Sequence, residues 1–267
     1  MIENKTIVLT GASSGIGLEF LRLLDQGKGN RILAVSRNAT KKISGDEFKS
    51  DVTVFDADTS TKEGVDAIFA KAEELFGKID LYYQNSGYPY FEMYDYEDWD
   101  RLSRIFQANT IGPAYTYVKY KHHLAGREGH LAYTVSAIGT MAMPGYALYS
   151  ASKFGLEGFQ EGIRLEMPKN MKLTCLYPVA TDTNFFVTAA DGVVFDKPFP
   201  VQRPTVVAKK MYKGIEKNKK KVSPCFLFGV SKVLMTVCPP VRTIYWNLEK
   251  KKLDRFVVKM RKLGKYE

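Results

Sequence analysis

A tyrosine and a lysine four residues apart form the pair in this sequence best suited to move a proton. Tyr149 and Lys153 stand in the run Tyr-Ser-Ala-Ser-Lys, inside a stretch whose pattern predicts a helix over 147–167. Side chains at i and i+4 of a helix share one face. A nearby ammonium favours the phenolate and lowers the pKa of a tyrosine from its ordinary value of about 10. The spacing predicts a proton donor and acceptor near neutral pH, although YxxxK also occurs on ordinary helices.

A glycine-rich segment near the amino terminus has the composition of a phosphate-binding turn. It reads Thr10-Gly11-Ala12-Ser13-Ser14-Gly15-Ile16-Gly17 and joins the first predicted strand to the first predicted helix. Glycine permits a tight turn without an obstructing Cβ, and the N–H groups at a helix N-terminus attract a pyrophosphate. The GxxxGxG spacing differs from the GxGxxG of the general fingerprint. The segment predicts dinucleotide binding, with a plain connecting turn as the alternative.

The residues that follow the second predicted strand bear on the choice of cofactor. NAD-binding turns usually place an acidic residue on the ribose about 20 positions after the glycines. This chain has Ser36, Arg37 and Asn38 there and no carboxylate. Because a guanidinium suits phosphate oxygens, these residues predict NADP(H) preferred over NAD(H). A solvated surface arginine is the alternative.

Taken in their order along the chain, these motifs and the residues named next resemble those of the short-chain dehydrogenase/reductase family over nearly the whole chain. The family's NNAG segment resembles Gln84-Asn85-Ser86-Gly87, and its PG-xxx-T segment resembles Pro178-Val179-Ala180-Thr181-Asp182-Thr183. Its helical asparagine and its catalytic serine resemble Asn109 and Ser136, and its acidic residue beside the adenine resembles Asp58. Each match is weak alone, whereas the ordered set is typical of the family.

The resemblance implies a catalytic tetrad of Asn109, Ser136, Tyr149 and Lys153. Ser136 would hold the substrate oxygen, and Tyr149 would transfer the proton. Lys153 would hold the nicotinamide ribose, and Asn109 would anchor a water linking Lys153 to solvent. The hydride is the cofactor's, and no metal is expected. The implied cofactor-binding residues are Gly11, Ser13, Ser14, Gly15, Ile16, Gly17, Ser36, Arg37, Asn38, Asp58, Asn85, Gly87, Tyr149, Lys153, Pro178, Thr181 and Thr183.

Two departures from the family pattern are visible. Gln84 and Ser86 vary the NNAG segment while Asn85 and Gly87 remain, and Val179 replaces the usual glycine after the proline. Both lie on the nicotinamide side of the expected site. Neither affects the four residues of the tetrad.

Three segments rich in aromatic residues and methionine are expected around the reacting carbon. They are 88–91, 141–146 and a lid over 183–199 that carries Phe185, Phe186, Phe195 and Phe199. Ligand sites are mostly apolar, and methionine adapts to irregular apolar shapes. The set predicts a bulky lipophilic alcohol or ketone, with ordinary core packing as the alternative for any single residue. The chain is similar to hydroxysteroid dehydrogenases of the family, including those acting on bile acids, and long-chain keto-lipid or other carbonyl reductases are the alternative.

The elements that must position these residues alternate along the chain. Strands are expected at 6–10, 31–35, 52–55, 79–83, 130–135 and 172–176, and helices at 16–24, 65–76, 99–120 and 147–167. Short strands alternating with helices indicate βαβ units and a parallel sheet. Right-handed crossovers give an α/β fold, a Rossmann-type doubly wound parallel sheet with helices on both faces.

One cofactor must join the turn near residue 11 to the pair near residue 150, so residues 1–267 are expected to form a single domain. Its parts are a cofactor and catalytic core over about 1–177, a substrate lid over 178–203 and a basic C-terminal extension over 204–267. Residues 248–263 place Leu253, Phe256, Val257, Met260 and Leu263 on one helix face, opposite lysines and arginines. Such a helix can pack on the lid, pack in a homodimer or homotetramer, or touch an anionic membrane peripherally. Packing is the favoured expectation.

Composition and charge narrow the class of protein. The 267 residues are 45% hydrophobic and 25% charged, as in ordinary globular chains. Three cysteines without a CxxC pair argue against a disulfide framework or a zinc site and favour a reducing, cytoplasmic location. The net charge of +10 has no nucleic-acid recognition motif beside it. No signal-peptide layout is present, and charges and prolines break the apolar run 226–246, making it a poor membrane span.

Other functions remain as alternatives to an NADP(H)-dependent oxidoreductase that interconverts a secondary alcohol and a ketone. A non-catalytic dinucleotide-binding regulator would keep the fold but needs no tuned tyrosine. Sugar epimerases and dehydratases on a related fold tend to have another glycine spacing and a longer C-terminal domain. The motifs therefore favour the oxidoreductase.

Overall fold

In the computed structural model, the described residues, 1–190 and 192–265, centre on a parallel sheet. The strands are β1 (Thr6–Thr10), β2 (Arg31–Ser36), β3 (Asp51–Asp56), β4 (Leu81–Gln84), β5 (Gly129–Thr134), β6 (Met171–Leu176), β7 (Ala180–Thr181), β8 (Val201–Gln202) and β9 (Lys221–Val222). Seven of them form one sheet in the order β3-β2-β1-β4-β5-β6-β9, and every neighbouring pair is parallel. The strand order reverses between β1 and β4. Ligands of such sheets bind outside the carboxyl ends of the strands at this switch point.

Helices cover both faces of the sheet, which confirms the predicted fold class. The described helices, in chain order, are α1 (Gly15–Leu24), α2 (Lys62–Phe76), α3 (Trp99–Phe106), α4 (Gly112–Leu124), α5 (Ala147–Glu166), α6 (Phe185–Ala189), α7 (Pro204–Glu216), α8 (Phe226–Val237) and α9 (Pro239–Lys262). One core cluster joins the sheet to α1 and α7, and a second joins it to α2, α4 and α5. The central strands are buried on both faces, as expected for a parallel sheet between two helical layers.

The region predicted as one helix over 99–120 contains a change of helical geometry. Residues Gln107–Ile111 form a π-helical segment between α3 and α4. A Cβ at Gly112 would collide with the carbonyl oxygen of Thr59, so α4 approaches this loop closely. π-Helical turns frequently occur at functional sites. Asn109 lies in this segment and is fully buried.

The connection between β6 and α7, which includes the predicted lid over 178–203, has secondary structure of its own. It contains β7, the short helix α6 and β8, and β7 pairs with β8 in a separate two-stranded sheet. Phe186 and Val193 of this segment enter a third core cluster with Phe91 and with Phe256 of α9. The lid is therefore held by apolar contacts.

The C-terminal helix differs from its predicted form in length and in one apolar position. It begins at Pro239 instead of residue 248. Phe256, Val257 and Met260 are buried as expected and Leu253 packs against them, but Leu263 is 55% exposed because it follows the end of the helix. The backbone carbonyl of Val194 in the lid accepts a 2.9 Å hydrogen bond from Lys259. The apolar face of α9 thus packs within its own chain.

Among the described residues, every helix taken alone is too short or too polar to cross a membrane. The pair α8 and α9 would meet the criteria of length and composition together, but it bends by 118° at the break between them.

Candidate active site

A cavity of about 410 Å³ lies at the carboxyl ends of the strands, where the sheet reverses its order. The turn after β1 and the ends of β2 and β4 form one side of it. The end of β5, the first turns of α5 and the lid form the other side. The cavity therefore joins the regions singled out for cofactor, proton transfer and substrate.

The glycine turn has the backbone that a phosphate cradle requires. Gly11 and Gly15 have φ values of +66° and +55°, which side chains with a Cβ rarely adopt. A Cβ at Gly15 would lie 3.0 Å from Cγ2 of Thr183, so the turn touches the start of the lid. Gly11, Ser13, Ser14, Gly15 and Ile16 line the cavity. The turn fits the pyrophosphate of a dinucleotide at the N-terminus of α1.

Gly17 has a different place from the one predicted. It lies behind the turn and does not line the cavity. A Cβ there would collide with the carbonyl oxygen of Gly11. Gly17 thus allows α1 to pack closely under the turn, and contact with a cofactor is not its role in this geometry.

Hydrogen bonds tie the turn to the neighbouring strand β4. The hydroxyl of Thr10 accepts 3.0 Å hydrogen bonds from the backbone N–H groups of Asn85 and Ser86. The same hydroxyl donates a 3.3 Å hydrogen bond to Gln84. The glutamine that replaces the family's first asparagine therefore also holds the turn to β4. Asn85 also accepts a 2.9 Å hydrogen bond from Thr134 at the end of β5. The three strand ends are held together across the switch point.

The end of β2 carries positive charge into the cavity. Ser36, Arg37 and Asn38 line it as expected, and Ser36 donates a 2.9 Å hydrogen bond to Ser13 of the turn. Two further cations line the cavity, Lys42 beyond β2 and Arg104 on α3. Sequence reasoning missed both, because neither belongs to a motif and the inward face of α3 is not readable from its short pattern. The ring of Tyr88 lies in the field of Arg37 and Arg104, which lowers its pKa against a larger raising effect of burial.

The predicted proton-transfer pair lies buried at the middle of the cavity. Tyr149 and Lys153 stand on the first turns of α5, and both line the cavity. The side-chain nitrogen Nζ of Lys153 donates a 3.0 Å hydrogen bond to the carbonyl oxygen of Thr134 and lies 5.9 Å from the centre of the Tyr149 ring. A Cβ at Gly139 would lie 2.8 Å from the carbonyl oxygen of Lys153, so a glycine lets the turn after β5 pack on α5.

The acid–base properties of the pair differ from the expectation. Burial raises the pKa of Tyr149 above its ordinary value, and a hydrogen bond with Ser136 opposes this change. Burial lowers the pKa of Lys153 to about 7. The prediction that the lysine charge lowers the pKa of the tyrosine is wrong for this arrangement. The ammonium is directed to Thr134, and desolvation of the phenol dominates.

Ser136 follows β5 in an unusual backbone conformation. Its φ of +132° lies in the region that favours glycine. Its hydroxyl accepts a 3.3 Å hydrogen bond from the N–H of Ile138 and caps the short 3-10 helix Ala137–Thr140. Strain of this kind persists only where the surroundings enforce it and is frequent at functional sites. The hydroxyl lies beside Tyr149 on the wall of the cavity.

Asn109 lies one layer behind the cavity wall. Its amide group donates to the carbonyl oxygen of Tyr88 at 2.9 Å and to the hydroxyl of Ser152 at 3.0 Å. Its side-chain oxygen accepts a 3.2 Å hydrogen bond from the N–H of Tyr88. A Cβ at Gly87 would lie 2.8 Å from that oxygen and 3.4 Å from Nζ of Lys153. Asn109 and Lys153 are thus neighbours separated by a glycine.

The other predicted cofactor residues are placed as follows. Asp58, Asn85, Gly87, Pro178, Thr181 and Thr183 all line the cavity. The carboxylate of Asp58 accepts hydrogen bonds from the N–H and the hydroxyl of Ser60, at 2.9 and 2.7 Å, and so orders its own loop. Among the described residues, we find no group of three or more His, Cys, Asp or Glu side chains that could hold a metal ion.

The substrate side of the cavity is apolar, but three of the predicted aromatic residues, Tyr90, Phe91 and Phe195, do not line it. Its apolar and aromatic lining consists of Tyr88, Pro89, Met141, Met143, Tyr146, Phe185, Phe186 and Phe199. Phe91 and Phe195 instead stack on each other with ring centres 4.1 Å apart, inside the third core cluster. Phe228 of α8 and Tyr245 of α9 also line the cavity. Sequence reasoning missed these two, because only the tertiary fold brings the C-terminal region to the lid.

The chain matches known proteins over most of its length. The model of the family described as short chain dehydrogenase matches residues 5–192. Among curated proteins, one named as an oxidoreductase, SadH of Mycobacterium tuberculosis, is 29% identical over 242 residues. That match covers 82% of this chain and 86% of SadH.

Solved structures share the fold. An alcohol dehydrogenase from the archaeon Thermococcus sibiricus, complexed with 5-hydroxy-NADP, has a TM-score of 0.70 at 22% identity and covers 83% of this chain and 96% of that chain. A short chain dehydrogenase/reductase from Burkholderia phymatum in complex with NAD has a TM-score of 0.72 at 18% identity, with 94% and 97% covered. With the family model matching more than half of the residues, the chain belongs to the short-chain dehydrogenase family and is an NAD(P)-dependent oxidoreductase.

Proposed function

We propose that the chain interconverts a secondary alcohol and a ketone on a bulky lipophilic substrate and prefers NADP(H) over NAD(H). The observation that carries the proposal is a single cavity with three distinct parts. These are the glycine turn with the cations after β2, the pair Tyr149 and Lys153, and the aromatic residues of the lid. This arrangement would place a nicotinamide beside an apolar substrate and a proton donor.

In the proposed reaction the chain positions the substrate and moves the proton. The bound nicotinamide supplies or takes up a hydride. The Ser136 hydroxyl holds the carbonyl oxygen near the Tyr149 phenol, which gives its proton to that oxygen during reduction and takes it back during oxidation. The raised pKa of Tyr149 keeps the phenol protonated at neutral pH, which suits a proton donor.

In the proposal, Lys153 interacts with both the cofactor and Tyr149. Its side-chain nitrogen binds the nicotinamide ribose and returns a proton to the Tyr149 phenolate that remains after proton transfer. Its pKa of about 7 lets it also pass a proton onward at neutral pH. The route would run past Gly87 to the neighbourhood of Asn109, whose amide is already held by Tyr88 and Ser152. Asn109 is therefore proposed to fix the geometry around the lysine.

The preference for NADP(H) rests on the cations at the end of β2. Arg37 and Lys42 are both exposed and line the cavity beside Ser36 and Ser13 of the turn. A 2′-phosphate placed there would meet two cations and two hydroxyl groups. Charge-assisted hydrogen bonds of this kind are stronger than neutral ones.

The substrate class is proposed from the apolar wall. Phenylalanine and methionine side chains from the lid and from 141–143 form a surface suited to a fused-ring or long-chain ketone. A hydroxysteroid or bile acid is our first choice, and a long-chain keto-lipid is the alternative. A non-catalytic dinucleotide-binding regulator is disfavoured. Burying a lysine beside a tyrosine costs free energy, and a protein without catalytic activity would have no use for that arrangement.

Assembly and location are part of the same proposal. We propose a homodimer or homotetramer that packs through α4 and α5, where Val118 and Phe154 are exposed and where Ile111 is exposed just before α4. On α5, Gly158 and Gly162 leave the backbone open to a close neighbour, since a Cβ at either would meet nothing within 4 Å among the described residues. The cavity is lined by residues from 11 to 245, which supports treating 1–267 as one domain. The three free cysteines favour the cytoplasm.

A cofactor-oxidation screen tests the proposed function. The purified chain is offered NADPH or NADH with steroid, bile-acid and long-chain ketones and with short water-soluble ketones. We expect consumption of NADPH with at least one lipophilic ketone and slower consumption with the short ones. Equal rates for short and bulky ketones would contradict the proposed substrate class.

A further inference from the structure

Helix α8 presents its apolar face away from the protein. Phe226, Val233 and Val237 are 86%, 64% and 73% exposed, and Leu227, Val230 and Leu234 are exposed as well. At 100° per residue these six side chains fall within about 120° of arc, so they form one continuous stripe. Within the part of the chain that the structure describes, no residue of α8 is buried.

This orientation is the reverse of that in an ordinary surface helix. Surface helices turn their apolar stripe to the core and their polar face to water. In α8 the half-buried side chains that lean on the protein are Phe228, Ser231, Lys232 and Met235. The inner face includes a serine and a lysine while the outer face is apolar. Contiguous exposed apolar surface of this kind marks an interaction site.

The charge around the stripe has one sign. Residues 217–248 contain no aspartate or glutamate, and their six cations are Lys217, Lys219, Lys220, Lys221, Lys232 and Arg242. Lys221 is held by ion pairs with Glu157 and Glu161 of α5. Lys217, Lys219 and Lys220 are exposed just before the helix, and Arg242 is exposed just after it. An apolar stripe between three exposed lysines and an exposed arginine fits a partner with an apolar interior and an anionic surface.

We propose that α8 lies in the surface of an anionic lipid bilayer, with its apolar stripe among the acyl chains and the flanking cations at the headgroups. Helices with an apolar face and a basic surround bind membrane interfaces in this way. Each juxtamembrane cation adds attraction to anionic lipid. A 12-residue helix is about 18 Å long, which is short for a span of about 30 Å. Since α9 leaves it at a 118° bend and has a basic outer face, α8 lies along the surface.

A second copy of this chain fits the stripe less well. In a two-fold symmetric contact each α8 would face the same surface of its partner. The lysines before the helix and Arg242 after it would then approach the like charges of the other copy. The exposed residues Val118 on α4 and Phe154 on α5, with Ile111 just before α4, offer a contact without this repulsion.

The position of α8 relative to the cavity gives the docking a function. Phe228 on its inner face lines the cavity together with Tyr245 of α9 and Phe199 of the lid. The inner face of α8 therefore forms part of the cavity wall, and its outer face would touch lipid. This step rests on the proposed lipophilic substrate, which would be concentrated in the bilayer and could enter the cavity directly.

Vesicle flotation of the full-length protein tests the docking without reference to activity. The vesicles are made of phosphatidylcholine alone or with added phosphatidylglycerol. The test variant is Val233→Glu/Leu234→Glu, which charges the stripe. The matched control is Val258→Glu/Leu263→Glu, which makes the same exchanges at two exposed positions, Val258 of α9 and Leu263 just after it. Neither pair of residues lines the cavity.

We expect the wild type and the control to float with the anionic vesicles, and high salt to weaken this binding. The test variant should lose at least about 100-fold in partition coefficient, since two buried apolar side chains are replaced by charges. Wild-type protein that stays free of anionic vesicles would overturn the proposal, as would equal loss in both variants. A third result would also overturn it: light scattering that shows a monomeric test variant and a larger wild-type assembly, where the wild type does not bind lipid. A chain that floats but reduces no ketone would support the docking and count against the proposed function instead.

Discussion

The ammonium of Lys153 donates a 3.0 Å hydrogen bond to the carbonyl oxygen of Thr134, the last residue of β5. The lysine side chain is 3% exposed, and this bond holds it beside Tyr149 at the carboxyl end of the sheet. A single neutral acceptor only partly replaces the water that an ammonium loses on burial. The pKa of Lys153 therefore falls to about 7, which gives the site a measurable proton linkage.

The linkage predicts how stability depends on pH. The unfolded lysine has its ordinary pKa of 10.5 and the folded one about 7, so the folded state binds fewer protons between these values. The free energy of unfolding of the wild type, relative to Lys153→Met, should then rise with pH across this window, by about 2 kcal/mol between pH 7 and pH 9. Urea unfolding of both proteins at the two pH values measures this difference. Parallel changes with pH would show that Lys153 stays charged when folded.

Replacing Tyr149 by phenylalanine tests the proposed proton transfer. The ring remains and the transferable proton is lost, so turnover should fall by about 10²–10⁴-fold while the cofactor still binds. Tyr146→Phe is the matched control. Tyr146 lines the same cavity, and its buried hydroxyl has no hydrogen-bond partner among the described residues. Its removal should change turnover less than about tenfold. Steady-state kinetics and cofactor titration give both results, and similar losses in the two variants would argue against Tyr149 as the proton donor.

Two substitutions at Ser136 separate the effect of its hydroxyl group on turnover from the effect of its backbone conformation on stability. Alanine and glycine both remove the hydroxyl, so both variants should lose about 10²–10³-fold in turnover. They differ in conformation, because a φ of +132° strains alanine but not glycine. Ser136→Gly should therefore be more stable than Ser136→Ala by about 1 kcal/mol. Thermal unfolding and steady-state kinetics on the same samples test this. A glycine variant no more stable than the alanine variant would show that the strain is absent.

Local patterns predicted most of the framework. The strands are short apolar runs and the glycine turn lies between adjacent elements, so neighbours in sequence suffice to locate them. The order of the sheet follows from handedness and connection rules, which hold for any such alternation. The spacing of Tyr149 and Lys153 puts them on one face of α5, where both line the cavity. Their roles in catalysis stay predictions.

Features that depend on distant contacts were beyond local reasoning. The π-helical segment around Asn109 has no signature in Gln-Ala-Asn-Thr-Ile, because its geometry depends on how α4 meets the loop at Thr59. Lys42 and Arg104 reach the cavity only through the packing of their segments. The pKa of Tyr149 was predicted in the wrong direction, since the depth of its burial is a property of the whole fold.

The packing of α9 on the lid predicts a coupling between the C-terminus and substrate binding. The ring of Phe256 lies 4.9 Å from that of Phe91 and 5.7 Å from that of Phe195. Phe256→Ala should lower the free energy of unfolding by about 3–5 kcal/mol and raise KM more than it lowers kcat. Val258→Ala, at an exposed position of the same helix, should change neither by a comparable amount. Chemical unfolding and steady-state kinetics decide between a helix that supports the lid and one that is dispensable.

The end of β2 predicts how cofactor preference can be reversed. A carboxylate at Ser36 would accept hydrogen bonds from the ribose hydroxyls of NAD and repel a 2′-phosphate, while Arg37 and Lys42 attract one. Ser36→Asp/Arg37→Leu should shift the ratio of kcat/KM for NADPH and NADH by at least about 100-fold towards NADH. Lys42→Ala alone should give a smaller shift in the same direction, about fivefold, because an exposed lysine contributes less than a forked guanidinium. Arg22→Leu, an exposed arginine of α1 paired with Glu19, serves as the control and should leave the ratio unchanged. The measurement is kcat/KM with both cofactors for all four proteins at one ionic strength. A wild type that uses NADH as well as NADPH would contradict the proposed phosphate site at Arg37.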